Sequence, residues 1–160
     1  MRLLLIGCSG FIGKELVPRL LKAGYQIILV QRKKNFANQN TNENNQLKTI
    51  QLDPSESLNW SKGPLLEAIN QSQAVINLAG EPIAEKRWTK KQCEIILNSR
   101  LKSTNSIVHA IKQAKNKPHV LINASAIGYY GTSQEQRFDE NSQNGEDFLA
   151  HVCKKWEASA

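Results

Sequence analysis

Apolar residues occur along the chain in short runs and helical stripes, and their order predicts strands that alternate with helices. Leu3–Ile6 is a continuous apolar run, typical of a strand buried on both faces of a parallel sheet. Helical spacing follows over residues 11–23, with apolar side chains at Phe11, Ile12, Leu16, Leu20 and Ala23. Gly24 stands where a residue with positive φ ends many helices, and Tyr25–Val30 is a second apolar run. These segments predict one βαβ unit with a right-handed crossover.

Three more apolar runs predict further strands, at Leu47–Leu52, Ala74–Ala79 and His119–Ser125. Shorter amphipathic segments predict helices around Leu65–Ile69 and over Gly145–Ala158. Strands that alternate with helices in this way form parallel sheets covered on both faces. The chain therefore predicts an α/β fold, a Rossmann-type doubly wound parallel sheet in three α/β/α layers with strand order 3-2-1-4-5.

Of two long segments between these strands, one has the apolar periodicity of a helix and the other has none. A long helix is predicted from Thr89, which forms a capping-box pattern with Gln92, to about Lys115, and Pro118 stops any continuation. Its predicted core-facing stripe consists of Cys93, Ile96, Leu97, Leu101, Thr104, Val108 and Ile111. Asn35–Gln46 is half asparagine and has no apolar periodicity, so it predicts a loop in place of a crossover helix.

Three glycines lie between the first predicted strand and the first helix, in the pattern G-x-x-G-x-x-G. Such a turn uses glycine for its dihedral angle, for the close approach of a pyrophosphate, and for packing of the helix on the strand. Free N–H groups at the helix start attract phosphates, helped by the helix dipole. The pattern therefore predicts a dinucleotide site formed by Gly7, Ser9, Gly10, Phe11, Ile12 and Gly13. The alternative is a glycine turn that serves only packing.

The end of the second predicted strand indicates which dinucleotide is bound. It reads Val30-Gln31-Arg32-Lys33, without the acidic residue that would bind the ribose 2′-hydroxyl of NAD. The guanidinium of Arg32 can hold a 2′-phosphate through a bidentate fork. The sequence therefore predicts NADP (NADPH) rather than NAD as the cofactor. The alternative is that Arg32 is an ordinary exposed charge.

Two further strand ends are predicted to line the adenosine half of the cofactor. Asp53 follows the third strand and can accept a hydrogen bond from the adenine amino group, or it can cap its own loop. Leu78, Ala79 and Gly80 end the fourth strand, and small residues there would let the backbone pass beside the adenosine. The alternative for these three residues is a structural turn.

Composition narrows the class of protein. The chain has 160 residues, 40% of them hydrophobic, which is enough for one domain with a core. No apolar stretch is long enough to predict a membrane span. The cysteines and histidines lack metal-ligand or disulfide spacing, which predicts no metal site and a reducing cytoplasm. The net charge of +7 suggests an anionic ligand, and the dispersed Lys and Arg residues favour a phosphorylated small molecule over nucleic acid.

The glycine pattern and four later stretches occur in an order that resembles a known family. These stretches are INLAGEPIAEKRWT (Ile76–Thr89), NSRLKST (Asn98–Thr104), ASAIGYYG (Ala124–Gly131) and FLAHVCKKWE (Phe148–Glu157). Together they resemble the N-terminal part of the atypical extended short-chain dehydrogenase/reductases, also labelled nucleotide-sugar epimerase-like or cell-division-inhibitor-like. The resemblance implies an NADP-binding Rossmann core. Because such proteins are usually much longer, it also implies further strands and a substrate domain that follow the part seen in this chain.

The resemblance does not carry over the catalytic pair of the wider superfamily. Active members use Tyr-x-x-x-Lys on the helix after strand five, where the Lys holds the cofactor ribose and lowers the pKa of the Tyr that transfers the proton. When Glu157 is aligned with the acidic residue that often follows this Lys, Leu149 takes the Tyr position and Cys153 the Lys position. Leu149 cannot transfer a proton and Cys153 carries no positive charge. Lys154 lies about 100° further around the helix.

The remaining catalytic candidates are Ser125, at the end of the fifth predicted strand, and Tyr129 and Tyr130 in the following loop. Packing, or a strand-end cap for Ser125, is the alternative role. The chain thus predicts the NADP-binding part of an epimerase, dehydratase or reductase for a carbonyl or nucleotide-sugar substrate, with little turnover by itself. A non-catalytic nucleotide-sensing or interaction module is the alternative. An uncovered sheet edge further predicts self-association into a homo-oligomer.

Overall fold

A computed structural model describes residues 1–32 and 46–160. The strands are β1 (Arg2–Ile6), β2 (Gln26–Gln31), β3 (Leu47–Gln51), β4 (Ala74–Asn77) and β5 (Val120–Asn123). The helices are α1 (Phe11–Lys22), α2 (Leu58–Ser61), α3 (Pro64–Gln71), α4 (Lys90–Gln113) and α5 (Phe148–Ala158), and a 3-10 turn covers Ile127–Tyr130. Within these described ranges no helix is both long and apolar enough to cross a membrane. The predicted loop Asn35–Gln46 lies outside the described residues, except for Gln46.

The five strands form one parallel sheet in the order β3-β2-β1-β4-β5. β1 lies at its centre, where Leu5 pairs with Leu29 of β2 on one side and with Ile76 of β4 on the other. The chain runs outward through β2 and β3, then crosses back to β4 and continues to β5. The strand order therefore reverses beside β1, and the predicted Rossmann-type doubly wound sheet is confirmed.

Side chains that alternate along β1 divide the core into two layers. Leu4 and Ile6 pack on the face that α2, α3 and α4 cover. Leu3 and Leu5 pack on the opposite face, which α1 covers. Burial on both faces explains why β1 and β2 appear in the sequence as continuous apolar runs.

The predicted helix is present as α1, but its first two apolar residues are exposed. The side chains of Phe11 and Ile12 are 90% and 60% exposed, and the residues of α1 that are buried are Gly13 and Val17. The first turn of α1 lies at the carboxyl edge of the sheet, after β1 has ended at Ile6. Its side chains therefore have no strand to pack against.

The predicted stripe along α4 is also wrong in part. Cys93, Leu97 and Leu101 are only half-buried, whereas Ile107 and Ala110 are completely buried and were not predicted. The helix packs against the sheet, α2, α3 and α5. Because several elements cover it, its buried surface is wider than a single apolar stripe and includes small polar residues.

Several element ends differ from the prediction. β5 covers Val120–Asn123 rather than His119–Ser125. α5 begins at Phe148 rather than at Gly145, because Asp147 caps it by accepting a hydrogen bond from the Ala150 backbone N–H at 2.8 Å. The short helix α2 was not predicted. The Asp147 cap, which the apolar pattern does not report, sets the start of α5.

β5 forms one edge of the sheet and exposes apolar side chains. Val120 and Ile122 are 45% and 51% exposed. An edge strand also presents backbone groups that can pair with another strand. Self-association into a homo-oligomer therefore stays a prediction for this edge.

A buried polar network joins the carboxyl ends of β4 and β5 to α4 and α5. Asn77 Nδ2 donates to Asn123 Oδ1 at 2.7 Å and to Thr104 Oγ1 at 3.1 Å, while Asn77 Oδ1 accepts from the Ala79 N–H at 3.1 Å. From α5, Trp156 Nε1 donates to the same Thr104 oxygen at 3.0 Å. Because Asn77 is completely buried, these bonds replace the hydration that it loses on folding. The network fixes the direction in which the chain leaves β4.

Replacing Asn77 by Ala should lower the free energy of unfolding by about 2–3 kcal/mol, because it leaves several buried polar groups without partners. Urea unfolding followed by circular dichroism measures this change. Asn105→Ala, on the exposed side of α4, is the matched control and should change stability by less than about 0.5 kcal/mol. Equal stability of the two variants would show that the network does not stabilise the fold.

Candidate cofactor site

A cleft of about 240 Å³ opens at the carboxyl edge of the sheet, beside the end of β1. The strand order reverses here, with β2 on one side of β1 and β4 on the other. Ligands of open α/β sheets bind in the crevice at this point. The cleft brings together eight of the eleven residues predicted to bind a cofactor, namely Gly7, Ser9, Gly10, Arg32, Asp53, Leu78, Ala79 and Gly80.

The glycine turn owes its shape to two close backbone contacts. Gly7 has φ +76°, and a Cβ atom there would lie 2.5 Å from Ala79 Cα, so β1 turns directly against the end of β4. A Cβ atom on Gly13 would overlap the Cys8 backbone, because α1 packs against the turn. At Gly10, by contrast, a Cβ atom would meet nothing closer than the Gly7 carbonyl at 4.0 Å. No protein atom therefore fills the space beside Gly10, and this space forms part of the cleft.

The start of α1 is open to an anion. Gly10 is the N-cap residue and supplies no side-chain cap, and the first turn contains no acidic residue. The first N–H groups of a helix have no partner within the helix, and the helix dipole is positive there. Phe11 and Ile12 do not line the cleft with their side chains. Any contribution that they make to phosphate binding comes from their backbone N–H groups.

Three charged side chains line the cleft, the cation Arg32 and the carboxylates Asp53 and Glu81. Arg32 is exposed directly after β2 and lines one wall. Glu81 lines the opposite wall, where Lys86 Nζ donates to its Oε1 at 2.9 Å. This hydrogen bond from Lys86 holds the pKa of Glu81 below its ordinary value. Lys86 therefore balances the Glu81 charge, while Arg32 makes no ion pair with any carboxylate in the described part of the chain.

Gln31 lines the cleft and was not predicted as a site residue. Its side chain is only 5% exposed, and its Oε1 atom has no hydrogen-bond partner among residues 1–32 and 46–160. A buried acceptor without a partner costs about 1–3 kcal/mol, and an O–H or N–H group of a ligand in the cleft would satisfy it. The feature of the sequence that could have indicated Gln31 as a site residue is its position, since it is a polar residue at the carboxyl end of a buried apolar strand.

Asp53 has the loop-capping role that was its alternative. Its Oδ1 accepts from the Ser55 backbone N–H at 2.9 Å and from Ser55 Oγ at 2.8 Å. Asp53 and Ser55 nevertheless both line the cleft. A contact between Asp53 and an adenine amino group stays a prediction.

Ser99 and Ser103 of α4 also line the cleft and were not predicted. Ser99 Oγ accepts from the Glu81 backbone N–H at 2.9 Å and so fixes the segment after β4. Ser103 Oγ donates to the Ser99 carbonyl at 2.8 Å. Their spacing of four residues places both serines on one face of the helix, and this polar pair is the feature of the sequence that could have indicated them.

The three catalytic candidates lie together in a second cavity of about 350 Å³ beyond the end of β5. Ser125, Tyr129 and Tyr130 share it with two carboxylates, Glu140 and Glu157. Ser125 Oγ donates a hydrogen bond to Glu157 Oε1 of α5. The structure thus brings the three residues together, and their catalytic role stays a prediction.

The electrostatics of this second cavity do not favour a tyrosine base. Partial loss of solvation, and then the nearby carboxylates Glu140 and Glu157, raise the pKa of Tyr130. A tyrosine that removes a proton near neutral pH needs a lowered pKa. The ring of Tyr130 stacks on Phe138, with 5.5 Å between the ring centroids. Packing, the alternative role of this tyrosine, is therefore present in the structure.

The positions that correspond to Tyr and Lys in the resemblance lie on α5 and supply neither group. Leu149 is half-buried. Cys153 is 4% exposed, and burial raises the pKa of its thiol. Across the described residues, no group of three or more His, Cys, Asp or Glu side chains is arranged to hold a metal ion.

Comparison with known proteins identifies the family. The sequence profile of the NAD dependent epimerase/dehydratase family matches residues 3–151. The chain belongs to this family. Its glycine turn, five-stranded sheet and cleft are therefore the features of an NAD(P)-dependent epimerase/dehydratase family member.

Relatives within the epimerase/dehydratase family confirm the resemblance to its short-chain dehydrogenase-like members. The chain is 39% identical over 156 residues to the Epimerase family protein SDR39U1 homolog, chloroplastic, of Arabidopsis thaliana, covering 96% of this chain and 42% of that protein. It is 35% identical over 158 residues to the Epimerase family protein YfhF of Bacillus subtilis, covering 98% and 48%. The chain thus spans about half the length of the curated relatives it matches. Since one relative is named as chloroplastic, a cytoplasmic location stays a prediction.

Solved structures agree with the family assignment. The human epimerase family protein SDR39U1 (isoform 2) with NADPH superposes with a TM-score of 0.78 and 31% identity, covering 100% of this chain and 48% of that one. The UDP-glucuronic acid 4-epimerase of Bacillus cereus superposes with a TM-score of 0.79 and 21% identity, covering 99% and 51%. At this lower identity the second comparison shows the fold alone.

The buried thiol in the glycine turn should make stability fall at alkaline pH. Burial raises the pKa of Cys8 from 9.0 to about 12, so the folded chain keeps a proton that the unfolded chain releases. The stabilisation is complete below pH 9 and is lost as the pH rises toward 12. Between pH 7 and pH 10, urea unfolding should show the parent losing about 1 kcal/mol more stability than Cys8→Ala.

Cys93→Ala is the control for this measurement, because it removes a half-buried thiol and retains Cys8. It should lose stability with pH as the parent does. If Cys8→Ala and the parent lose the same stability over this range, the Cys8 thiol does not stay protonated in the folded chain.

Proposed function

We propose that this chain binds NADP(H) in the cleft beside β1 and forms the cofactor-binding part of an epimerase, dehydratase or reductase. The observation that carries the proposal is the position of Gly10, the uncapped start of α1 and Arg32 around one cleft. Open backbone and free N–H groups suit a diphosphate, and a guanidinium suits a 2′-phosphate. The NADPH in the human SDR39U1 structure supports the same proposal.

Each part of the cleft would hold a different part of the cofactor. The backbone N–H groups of Phe11 and Ile12, with Ser9, would bind the diphosphate. Asp53 and Leu78–Gly80 would line the adenosine half. When bound, the nicotinamide supplies hydride transfer to or from a carbonyl or sugar carbon of a substrate. The residues of this chain would contribute binding, orientation and electrostatics.

A preference for NADP over NAD is part of the proposal. The end of β2 carries Gln31 and Arg32 and has no carboxylate that would repel a 2′-phosphate. Of the two carboxylates that line the cleft, Glu81 is paired with Lys86 and Asp53 accepts hydrogen bonds from Ser55. A phosphate beside Arg32 would gain a charge-assisted hydrogen bond, which is stronger than a bond between neutral groups.

A non-catalytic module that senses the nucleotide or binds another protein is a second candidate function. The observations that favour it are Leu149 and Cys153 on α5, and the raised pKa of Tyr130. In the catalytic case, Ser125 and Tyr129 would contact a carbonyl or nucleotide-sugar substrate in the second cavity. Turnover of such substrates with NADPH separates the two candidates.

The first test of the proposed function measures cofactor preference with Arg32→Ala. Calorimetry should show the parent binding NADPH more tightly than NADH. In Arg32→Ala the affinity for NADPH should fall about tenfold to a hundredfold, because a charge-assisted bond to the 2′-phosphate is lost. The affinity for NADH should stay as in the parent.

Lys48→Ala is the matched control for Arg32→Ala, because Lys48 is an exposed cation on the neighbouring strand β3. It should leave the affinities for both dinucleotides unchanged. A parent that binds neither dinucleotide would refute the proposed function. A parent with equal affinity for both would refute the NADP preference alone.

A second test contrasts two glycines of the turn. Gly10 has φ −82°, which any residue adopts, so Gly10→Ala should fold with the stability of the parent. Its new methyl group enters the cleft, and NADPH affinity should fall at least about tenfold. Gly7→Ala should instead lower the melting temperature, because Gly7 has φ +76° and contacts Ala79. Parent-like NADPH affinity in Gly10→Ala would place the diphosphate elsewhere.

A further inference from the structure

Arg100 of α4 lies behind the cleft and contacts three parts of the structure. Its Nη1 donates to the Glu81 carbonyl at 3.0 Å and to the Ile96 carbonyl at 3.0 Å. Its guanidinium also lies over the ring of Trp156 of α5, 5.1 Å from the ring centroid. One side chain thus connects α4, α5 and the segment that follows β4.

The guanidinium fills the space that a side chain at position 80 would occupy. A Cβ atom placed on Gly80 would lie 2.9 Å from Arg100 Cζ and 3.1 Å from Nη1. Gly80 and Glu81 line the cleft, whereas Arg100 does not. The plane of the guanidinium therefore supports this wall from behind.

A cation that only fills this space would cost desolvation free energy without a compensating interaction. Burial lowers the pKa of Arg100, which indicates that its charge is partly desolvated. Over residues 1–32 and 46–160, no carboxylate forms an ion pair with it. An apolar side chain of similar length would avoid this desolvation cost. The planar guanidinium of arginine can donate to both carbonyl groups through Nη1 and at the same time stack on an indole ring.

We infer that Arg100 is a positioning residue for the dinucleotide, because it fixes the turn Gly80–Glu81 that forms one wall of the cleft. This inference rests on the proposed function, since the cleft is taken to bind NADP(H). Glu81 is held in two ways, through its N–H by Ser99 Oγ and through its carbonyl by Arg100. Trp156, which is anchored to Thr104, holds the other face of the guanidinium.

Arg100→Met removes the guanidinium and keeps much of the apolar volume, and Arg100→Lys keeps the charge and removes the planar group that stacks on Trp156. Both variants should bind NADPH about tenfold more weakly by calorimetry, because a charged hydrogen bond to the wall is lost. Lys102→Met is the matched control, since Lys102 is an exposed cation on the same helix. It should bind NADPH as the parent does. Circular dichroism establishes that each variant is folded at the temperature of the binding measurement.

A double-mutant cycle with Gly80→Ala separates positioning from general stability. Gly80→Ala alone should weaken NADPH binding about tenfold, because its methyl group displaces the guanidinium. In the Arg100→Met background the same change should have less than about a twofold effect, since the flexible Met side chain gives way. A side chain that only stabilised the fold would change the melting temperature and leave no such coupling in the Kd.

Three outcomes would overturn the inference. Parent-like NADPH affinity in both Arg100→Met and Arg100→Lys, in folded protein, refutes it and leaves the proposed function intact. The inference is also refuted if the fold-losses in NADPH affinity of Gly80→Ala and Arg100→Met multiply in the double variant, because the two residues are then not coupled. If Arg100→Met does not fold, Arg100→Lys and Gly80→Ala complete the test. A parent that binds no dinucleotide refutes the proposed function, and the positioning role with it.

Discussion

The close approach of the Gly7 and Ala79 backbones is the contact on which the rest of the carboxyl edge depends. A side chain at Gly7 would overlap the segment that leaves β4, and the positive φ of Gly7 turns the chain at this place. The end of β4 can therefore lie directly against the turn that begins α1. The two segments together form one cleft, with the open start of α1 on one side and Leu78–Gly80 on the other.

Packing from the second half of the chain keeps this cleft in shape. Asn77 is tied to β5 and α4 through its amide group, and Trp156 brings α5 onto the same Thr104 oxygen. Buried polar networks of this kind have few alternative arrangements, because each group left unpaired is costly. Arg100 extends the network to the cleft wall, so α4 and α5 determine the position of a segment that neither of them contains.

The sequence predicts the parts of this structure that arise from local chemistry. The apolar runs predicted the strands, and the glycine pattern predicted the turn and the residues Gly7, Ser9 and Gly10 that line the cleft. Gln31, Ser99 and Arg100 were missed because their importance comes from contacts made across the fold. The exposure of Phe11 and Ile12 could not be predicted for a related reason: helical periodicity shows which residues share a face, but not where the sheet ends.

The two cavities differ in the groups that line them. The cleft combines an open helix start with Arg32, and its two carboxylates already have partners, Asp53 in Ser55 and Glu81 in Lys86. The second cavity combines Glu140 and Glu157 with Tyr130, whose pKa these carboxylates raise. Where the resemblance aligns a Tyr and a Lys, α5 carries Leu149 and Cys153, which can neither transfer a proton nor carry a positive charge. The open start of α1 and Arg32 lie at the cleft, apart from these two positions. Dinucleotide binding and proton transfer would therefore depend on different groups of this chain, so a measurement of one does not decide the other.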